Sequence, residues 1–334
     1  MIKAAIIGLG TISVVHLDAI ASNPEIKLVA VCDVDPALKS QAPEGVPFYT
    51  DYKEMVKAEK PDVAHICLPH YLHYPVAKDL AEMGVNVFCE KPVALNIAQA
   101  EEFAALEAAH PEVKIGICLQ NRMNETTEEL KRIIDSGEYG KVTGIRGFVP
   151  WYRNPEYYSQ KPWRGTWEKA GGGSMINQSL HTLDLMYYLA GDVSKIHAVV
   201  GQLNDYGIEV EGDVVARMEF ANGAKGLFFA TNNNWTNESV QIRVALEKGV
   251  FHIEDNTLYK INPDSSREVV CKAPRLEGIK FYYGASHTRM VERFRKAVET
   301  GGDDYIHVRD AVMVIRLMET IFTSAKEDKL IDVL

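Results

Sequence analysis

The chain has 334 residues, a length that suits two domains of ordinary size, and its 46% hydrophobic and 25% charged residues describe a globular protein with a sizeable core rather than a disordered, collagen-like or coiled-coil chain. Thirty-six Lys and Arg against 46 Asp and Glu give a formal net charge of −10, which repels phosphate backbones and argues against nucleic acid as a partner. No run approaches the roughly 20 apolar residues of a membrane span; the opening MIKAAIIGLG lacks a signal-peptide pattern, and five scattered cysteines without a CxxC pair fit a reducing cytosol.

Over the first half, apolar β-branched runs at 3–8, 27–33, 62–68, 85–90 and 114–119 alternate with amphipathic helical stretches. One of these, 75–83, has Pro at its start and Gly84 just past its end. Continuous apolar strands alternating with helices predict a doubly wound parallel sheet covered on both faces, an α/β Rossmann domain over 1–121. Beyond it the rhythm changes. A helix at 125–136 leads into alternating strands, with Asn222-Gly223 between VVARMEF and AKGLFFA and Lys248-Gly249 between VQIRVAL and VFHIED. With helices at 174–189, 286–299 and 308–325, residues 122–334 read as an α+β domain on a mainly antiparallel open sheet, packed on the first domain with a cleft between the two.

The first strand ends in Gly8-Leu9-Gly10-Thr11-Ile12-Ser13, directly before a helical pattern. Gly8 permits the tight turn, Gly10 lets a pyrophosphate approach the backbone, and the helix start supplies free N–H groups. Such turns also occur empty; here Asp33 stands twenty residues beyond Ser13 at the end of the next strand, where a carboxylate accepts the ribose hydroxyls of a dinucleotide. Asp35 adds negative charge and no basic residue follows until Lys39, which favours NAD over NADP. The strand ending in Cys89-Glu90 places Lys91 at the carboxyl edge of the sheet, facing either the nicotinamide or solvent. In GGGSMINQSLHTLD, Asn177, His181 and Asp184 fall at i, i+4 and i+7, one helix face, which lines a wet cleft or is plainly solvated. His181 and Asp184 alone make a poor metal site, so no metal is expected.

Together GLGTIS at Gly8, CLPHYLH at Cys67–His73, EKP at Glu90–Pro92, GGGSMINQSLHTLD at Gly171–Asp184 and YYGASH at Tyr282–His287 resemble the glucose–fructose oxidoreductase/inositol dehydrogenase (Gfo/Idh/MocA) family over essentially the whole chain. The resemblance implies a homodimer or homotetramer and cofactor contacts from Gly8, Gly10, Thr11, Ile12 and Asp33. It adds Leu68, Pro69, His70 and His73 after the fourth strand, then Glu90 and Lys91. Lys91 would position nicotinamide and polarise the reacting hydroxyl, with His181 as general acid/base and Asn177 beside it. Many relatives carry Asp at the position of Asn177, and Thr-Pro-Asn is common where this chain has Leu68-Pro69-His70. Arg122, Trp163, Arg164, Asn177, His181 and His287 are the candidate substrate contacts, with Trp163 offering a plate for a sugar ring. Arg164 reads equally as a surface ion pair, Trp167 and His65 as core, and Asn232–Asn234 as a strand-end turn.

The expected activity is NAD-dependent oxidation of a secondary hydroxyl of a sugar, sugar derivative or cyclitol, or the reverse reduction. Two alternatives stand beside it: an NAD-dependent glycosidase working through transient oxidation and elimination, and a non-catalytic NAD-binding regulator.

Overall fold

The computed structural model describes residues 1–274 and 286–333. They divide into two compact units: residues 1–94, 98–120 and 286–312 form the first, and 95–97, 121–274 and 313–333 the second. The change at Gln120/Asn121 falls where the sequence rhythm breaks. The chain then returns to the first unit over 286–312, which a single boundary after residue 121 does not contain.

In the first unit a six-stranded parallel sheet runs β3-β2-β1-β4-β5-β6. Its strands are β1 (Ile2–Ile7), β2 (Ile26–Cys32), β3 (Phe48–Tyr49), β4 (Val63–Ile66), β5 (Asn86–Glu90) and β6 (Ile115–Cys118). β4 and β6 are buried at every position, as strands covered on both faces must be. Helices α1 (Ser13–Ala21), α2 (Tyr52–Glu59), α3 (His73–Glu82) and α4 (Ile97–Ala109) connect them. α3 starts two residues before Pro75, so the proline occupies its first turn, where a missing N–H costs nothing. The strand order reverses between β1 and β4, which puts the ligand-binding crevice of this fold at their carboxyl ends.

The second unit opens with α5 (Glu125–Ser136), stopped by Gly137 in the left-handed region. With β8 (Val193–Gly201), β13 (Thr257–Ile261), β14 (Arg267–Lys272), β15 (Ile331–Asp332) and the five strands given next, its nine-stranded sheet runs β14-β13-β12-β11-β7-β10-β9-β8-β15 and is antiparallel except for β7 beside β10. β7 (Val142–Pro150), β9 (Asp213–Phe220) and β10 (Lys225–Thr231) alternate buried with more exposed residues, the signature of one covered and one open face. Asn222-Gly223 turns between β9 and β10 as expected. Between β11 (Gln241–Leu246) and β12 (Gly249–Glu254) the turn is Glu247-Lys248, and Gly249 is already a strand residue opposite Leu246. Short helices α6 (Pro155–Ser159) and α7 (Trp167–Ala170) precede the helix expected at 174–189. That helix is composite, a π-turn over Met175–Ser179 followed by α8 (Leu180–Ala190). α8 lies on β7 because Gly147 has no side chain: a Cβ there would come within 2.6 Å of Thr182 and 2.8 Å of Met186. α9 (Ser286–Thr300) packs on α1 in the first unit, and α10 (Val308–Glu327) ends the helical part of the chain. No helix among the described residues is long and apolar enough to cross a membrane.

Candidate active site

The glycine turn of the first unit is built for a dinucleotide. Gly8 has φ +95°, and a Cβ there would lie 2.6 Å from the Cys67 carbonyl oxygen, so the residue after β1 touches the residue after β4 at the switch point. Asp33 locks the same turn from β2: its Oδ2 accepts from Leu9 N–H at 2.8 Å and its Oδ1 from Asp35 N–H at 3.0 Å. A carboxylate offers about four lone-pair sites, so capacity remains for ribose hydroxyls. At Gly10 an added Cβ would meet nothing closer than 4.0 Å, and no side chain caps the start of α1. Open space over uncapped helix N–H groups is what a pyrophosphate requires. The residues present therefore fit NAD.

At the end of β5, Glu90 and Lys91 sit among buried histidines. Glu90 is 4% exposed, and its Oε1 accepts from His16 Nε2 at 2.9 Å with His287 Nε2 at 3.5 Å. Burial pushes the Glu90 carboxyl up, but these two contacts outweigh it and hold the group well below the usual carboxylate range. Lys91 moves down from the ordinary lysine value because burial exceeds the attraction of Glu90. Its peptide bond to Pro92 is cis. His73 stands between the carbonyls of Pro92 and Leu68, 2.8 Å from each, and so braces the end of β4 against the strand end carrying Lys91.

The sequence reading counts His73, Glu90 and His287 among the ligand contacts. The structure buries all three, at 1%, 4% and 1% exposure, with polar atoms within reach of protein groups. His70 is also buried, at 6%, whereas Leu68 and Pro69 are half-buried and Thr11 is exposed. His16, Glu90, Cys118 and His287 bring ligand-type atoms within 4.8 Å of one another. Within this group His16 Nε2 is hydrogen-bonded to Glu90 Oε1 at 2.9 Å, and burial raises the Cys118 thiol. Residues 282–285 of the YYGASH motif lie outside the described residues.

The second unit carries the other candidate residues. Glu211, 3% exposed, clamps the triple-glycine turn: Oε2 accepts from Gly173 N–H and Oε1 from Met175 N–H, both at 2.8 Å. Burial raises this carboxyl to about 7. Gly173 is obligatory, because a Cβ would drive into the Glu211 carbonyl. Asn177 lies within the π-turn and is half-buried; His181 is 7% exposed at the start of α8. Asn177 therefore stands in the π-turn, while His181 and Asp184 follow at i, i+3 in the regular helix α8. Asp184 is 1% exposed and bound by Arg122, with Nε to Oδ2 at 2.9 Å and Nη2 to Oδ1 at 2.6 Å. This fork commits Arg122, an expected substrate contact, to holding α8 against the residues before α5. Arg164 stacks on Tyr157, its guanidinium carbon 4.1 Å from the ring centroid and Nη1 donating to the Tyr157 carbonyl. Trp163 beside it is half-buried. Trp167, expected in the core, is 42% exposed and meets Phe322 edge-on, because α7 is a single turn at the surface.

His65 is the buried, bonded histidine the sequence suggests, but its partner, His16, escaped notice. The available signal was a histidine on the α1 face that carries buried Ser13, Ala19 and Ile20. Glu211 gave none, since its partners are backbone N–H groups 36 and 38 residues away.

Residues 2–115 match the model of the oxidoreductase family with NAD-binding Rossmann fold, and residues 127–252 that of the GFO/IDH/MocA C-terminal domain. Levoglucosan dehydrogenase of Pseudarthrobacter phenanthrenivorans is 24% identical over 91% of this chain and 88% of its own length. An inositol 2-dehydrogenase of Salmonella paratyphi B is 27% identical over 57% of this chain and 55% of its own. Among solved structures, the WlbA dehydrogenase of Bordetella pertussis in complex with NADH and UDP-GlcNAcA superposes with a TM-score of 0.86 at 25% identity, covering 100% of this chain and 99% of that one. With both halves matched and the switch-point turn formed as a dinucleotide requires, the chain belongs to the Gfo/Idh/MocA family of NAD-binding oxidoreductases.

Proposed function

We propose that the protein is an NAD-dependent dehydrogenase that oxidises a secondary hydroxyl of a sugar, sugar derivative or cyclitol. The observation that carries this reading is the turn at Gly8–Gly10, locked by Asp33 and open above Gly10. The named substrates of relatives, levoglucosan and inositol, and the UDP-sugar acid bound to WlbA supply the substrate class. Gly8, Gly10, Thr11, Ile12 and Asp33 hold the dinucleotide, with Leu68 and Pro69 after β4. Exposed Asp35 beside Asp33 repels a 2′-phosphate.

Bound NAD supplies the hydride acceptor. The chain manages the proton and the charge. His181 takes the hydroxyl proton, a task suited to a neutral imidazole near pH 7. Lys91 stabilises the negative charge that develops on the oxygen, and its lowered value brings it nearer the working pH. Trp163, Arg164 and Asn177 orient the substrate, and Arg122 acts through Asp184 to fix α8.

The test is a panel of sugars, nucleotide sugars and cyclitols with NAD and NADP, following NADH absorbance and identifying products. The expected result is NADH stoichiometric with a keto product and kcat/KM at least about tenfold higher with NAD, roughly 1.4 kcal/mol. Aglycone release without net NADH, or bound NAD that no substrate reduces, would overturn the reading.

A further inference from the structure

Most of a Rossmann sheet is apolar inside, yet this one buries a carboxylate and several histidines at its carboxyl edge. Glu90 is faced by His16 from α1, by His65 and Cys67 from β4 and its end, by His73 from α3, by Cys118 from β6 and by His287 from α9, with Cys89 beside it. Burial raises the three thiols and lowers His65 and His73. His16 Nδ1 lies 2.9 Å from His65 Nδ1. Two nitrogens that close require one donor and one acceptor. The tautomers that satisfy every contact have His65 Nδ1–H donating to His16, and His16 Nε2–H donating to Glu90. The chain of donors thus ends on Glu90, whose other oxygen is 3.3 Å from Lys91 N–H.

We propose that His16 and His287 are positioning residues for the reaction: from behind the strand end they hold Glu90 as an anion one residue before Lys91, and this buried negative charge sets the protonation of the Lys91 ammonium. The inference rests on the assignment of Lys91 to the chemistry. It explains why a Glu precedes the Lys: burial works against the ammonium, and a fixed carboxylate works against that lowering. It also explains why the carboxylate needs donors, since an unsupported Glu90 would itself take up a proton and the negative charge would vanish.

The test reads Lys91 directly and needs no substrate. Protein carrying 13Cε-lysine is titrated by NMR, the Lys91 signal being the one missing in Lys91→Arg. In wild type Lys91 should titrate below the ordinary lysine value. Glu90→Gln should lower it further by about one unit or more, and His16→Leu and His287→Leu by at least about half a unit. His16→Gln, which keeps an N–H donor, should restore the wild-type titration. NADH affinity and melting temperature report whether each variant is folded, and Glu90→Gln carries the test if a Leu variant is not. A Lys91 titration that stays at the wild-type value in folded Glu90→Gln overturns the proposal, as does equal behaviour of His16→Leu and His16→Gln. Failure of the sugar panel with these shifts present would instead count against the dehydrogenase reading alone.

Discussion

Two glycine-rich turns precede helices in this chain, one in each unit, and they do opposite things. The turn at Gly8–Ser13 leaves the start of α1 uncapped and the space over Gly10 open. The turn at Gly171–Ser174 is filled: the Glu211 carboxylate occupies the N–H groups of Gly173 and Met175, and the Glu211 backbone fills the place of a Gly173 side chain. One helix start is kept for an anionic ligand, and the other is satisfied by a carboxyl group of the protein itself. The pattern of glycines does not separate the two cases. What separates them is whether a carboxylate arrives to bond the helix start (Glu211) or to lock the turn from the side (Asp33).

The largest effects should come from the proposed reacting residue of each unit, Lys91 in the first and His181 in the second. Lys91→Met and His181→Ala should each lower kcat by about a hundredfold or more while NADH still binds, the usual size of a general acid–base contribution. A variant keeping more than about a third of wild-type turnover under chemistry-limited conditions would remove its residue from the mechanism. Next, the filled turn should not tolerate a methyl group. Gly173→Ala should destabilise the fold by about 2–3 kcal/mol in urea unfolding, because the collision is with backbone rather than with a flexible side chain. Wild-type stability in that variant would mean that the clamp is loose.

Glu211 itself gives the filled turn a pH dependence. Its folded value of about 7 lies above the ordinary carboxyl value of 4.5, so the native state holds a proton that the unfolded chain has released. Its contribution is fully present below about pH 4.5 and is lost as pH rises through about 7. Unfolding free energy should therefore fall across that window by about 3 kcal/mol from this group, and Glu211→Gln, which does not titrate, should flatten the slope. A slope that survives the substitution would assign the titration elsewhere.

Much of this architecture is legible in the residues, for identifiable reasons. β1, β4 and β6 read as buried strands because continuous apolar character has no other explanation at that length, and the hairpin at Asn222-Gly223 is fixed by local turn chemistry. β3 is two residues long and carries no period. The π-turn is invisible because its residues fit a regular helix equally well, so the sequence does not show that Asn177 stands in one kind of turn and His181 and Asp184 in another. Asp184 and Arg122 lie 62 residues apart, and nothing local announces that they neutralise each other. His16 and Glu211 are joined to their partners only by long-range bonds, so no local pattern announces them.

The account turns on the first glycine turn being open for a dinucleotide, and Gly10→Ala tests that most directly. Gly10 is not in the left-handed region, and its added methyl group would meet only the Cys67 carbonyl at 4.0 Å, so the protein without cofactor should melt as wild type does. The second glycine of such a turn lets a pyrophosphate approach the backbone, and a methyl group there would crowd it, so NADH affinity, measured by calorimetric titration, should fall about tenfold or more, roughly 1.4 kcal/mol. An unchanged affinity in a folded Gly10→Ala protein would contradict the account, because the turn would then be no more a ligand site than the one clamped by Glu211.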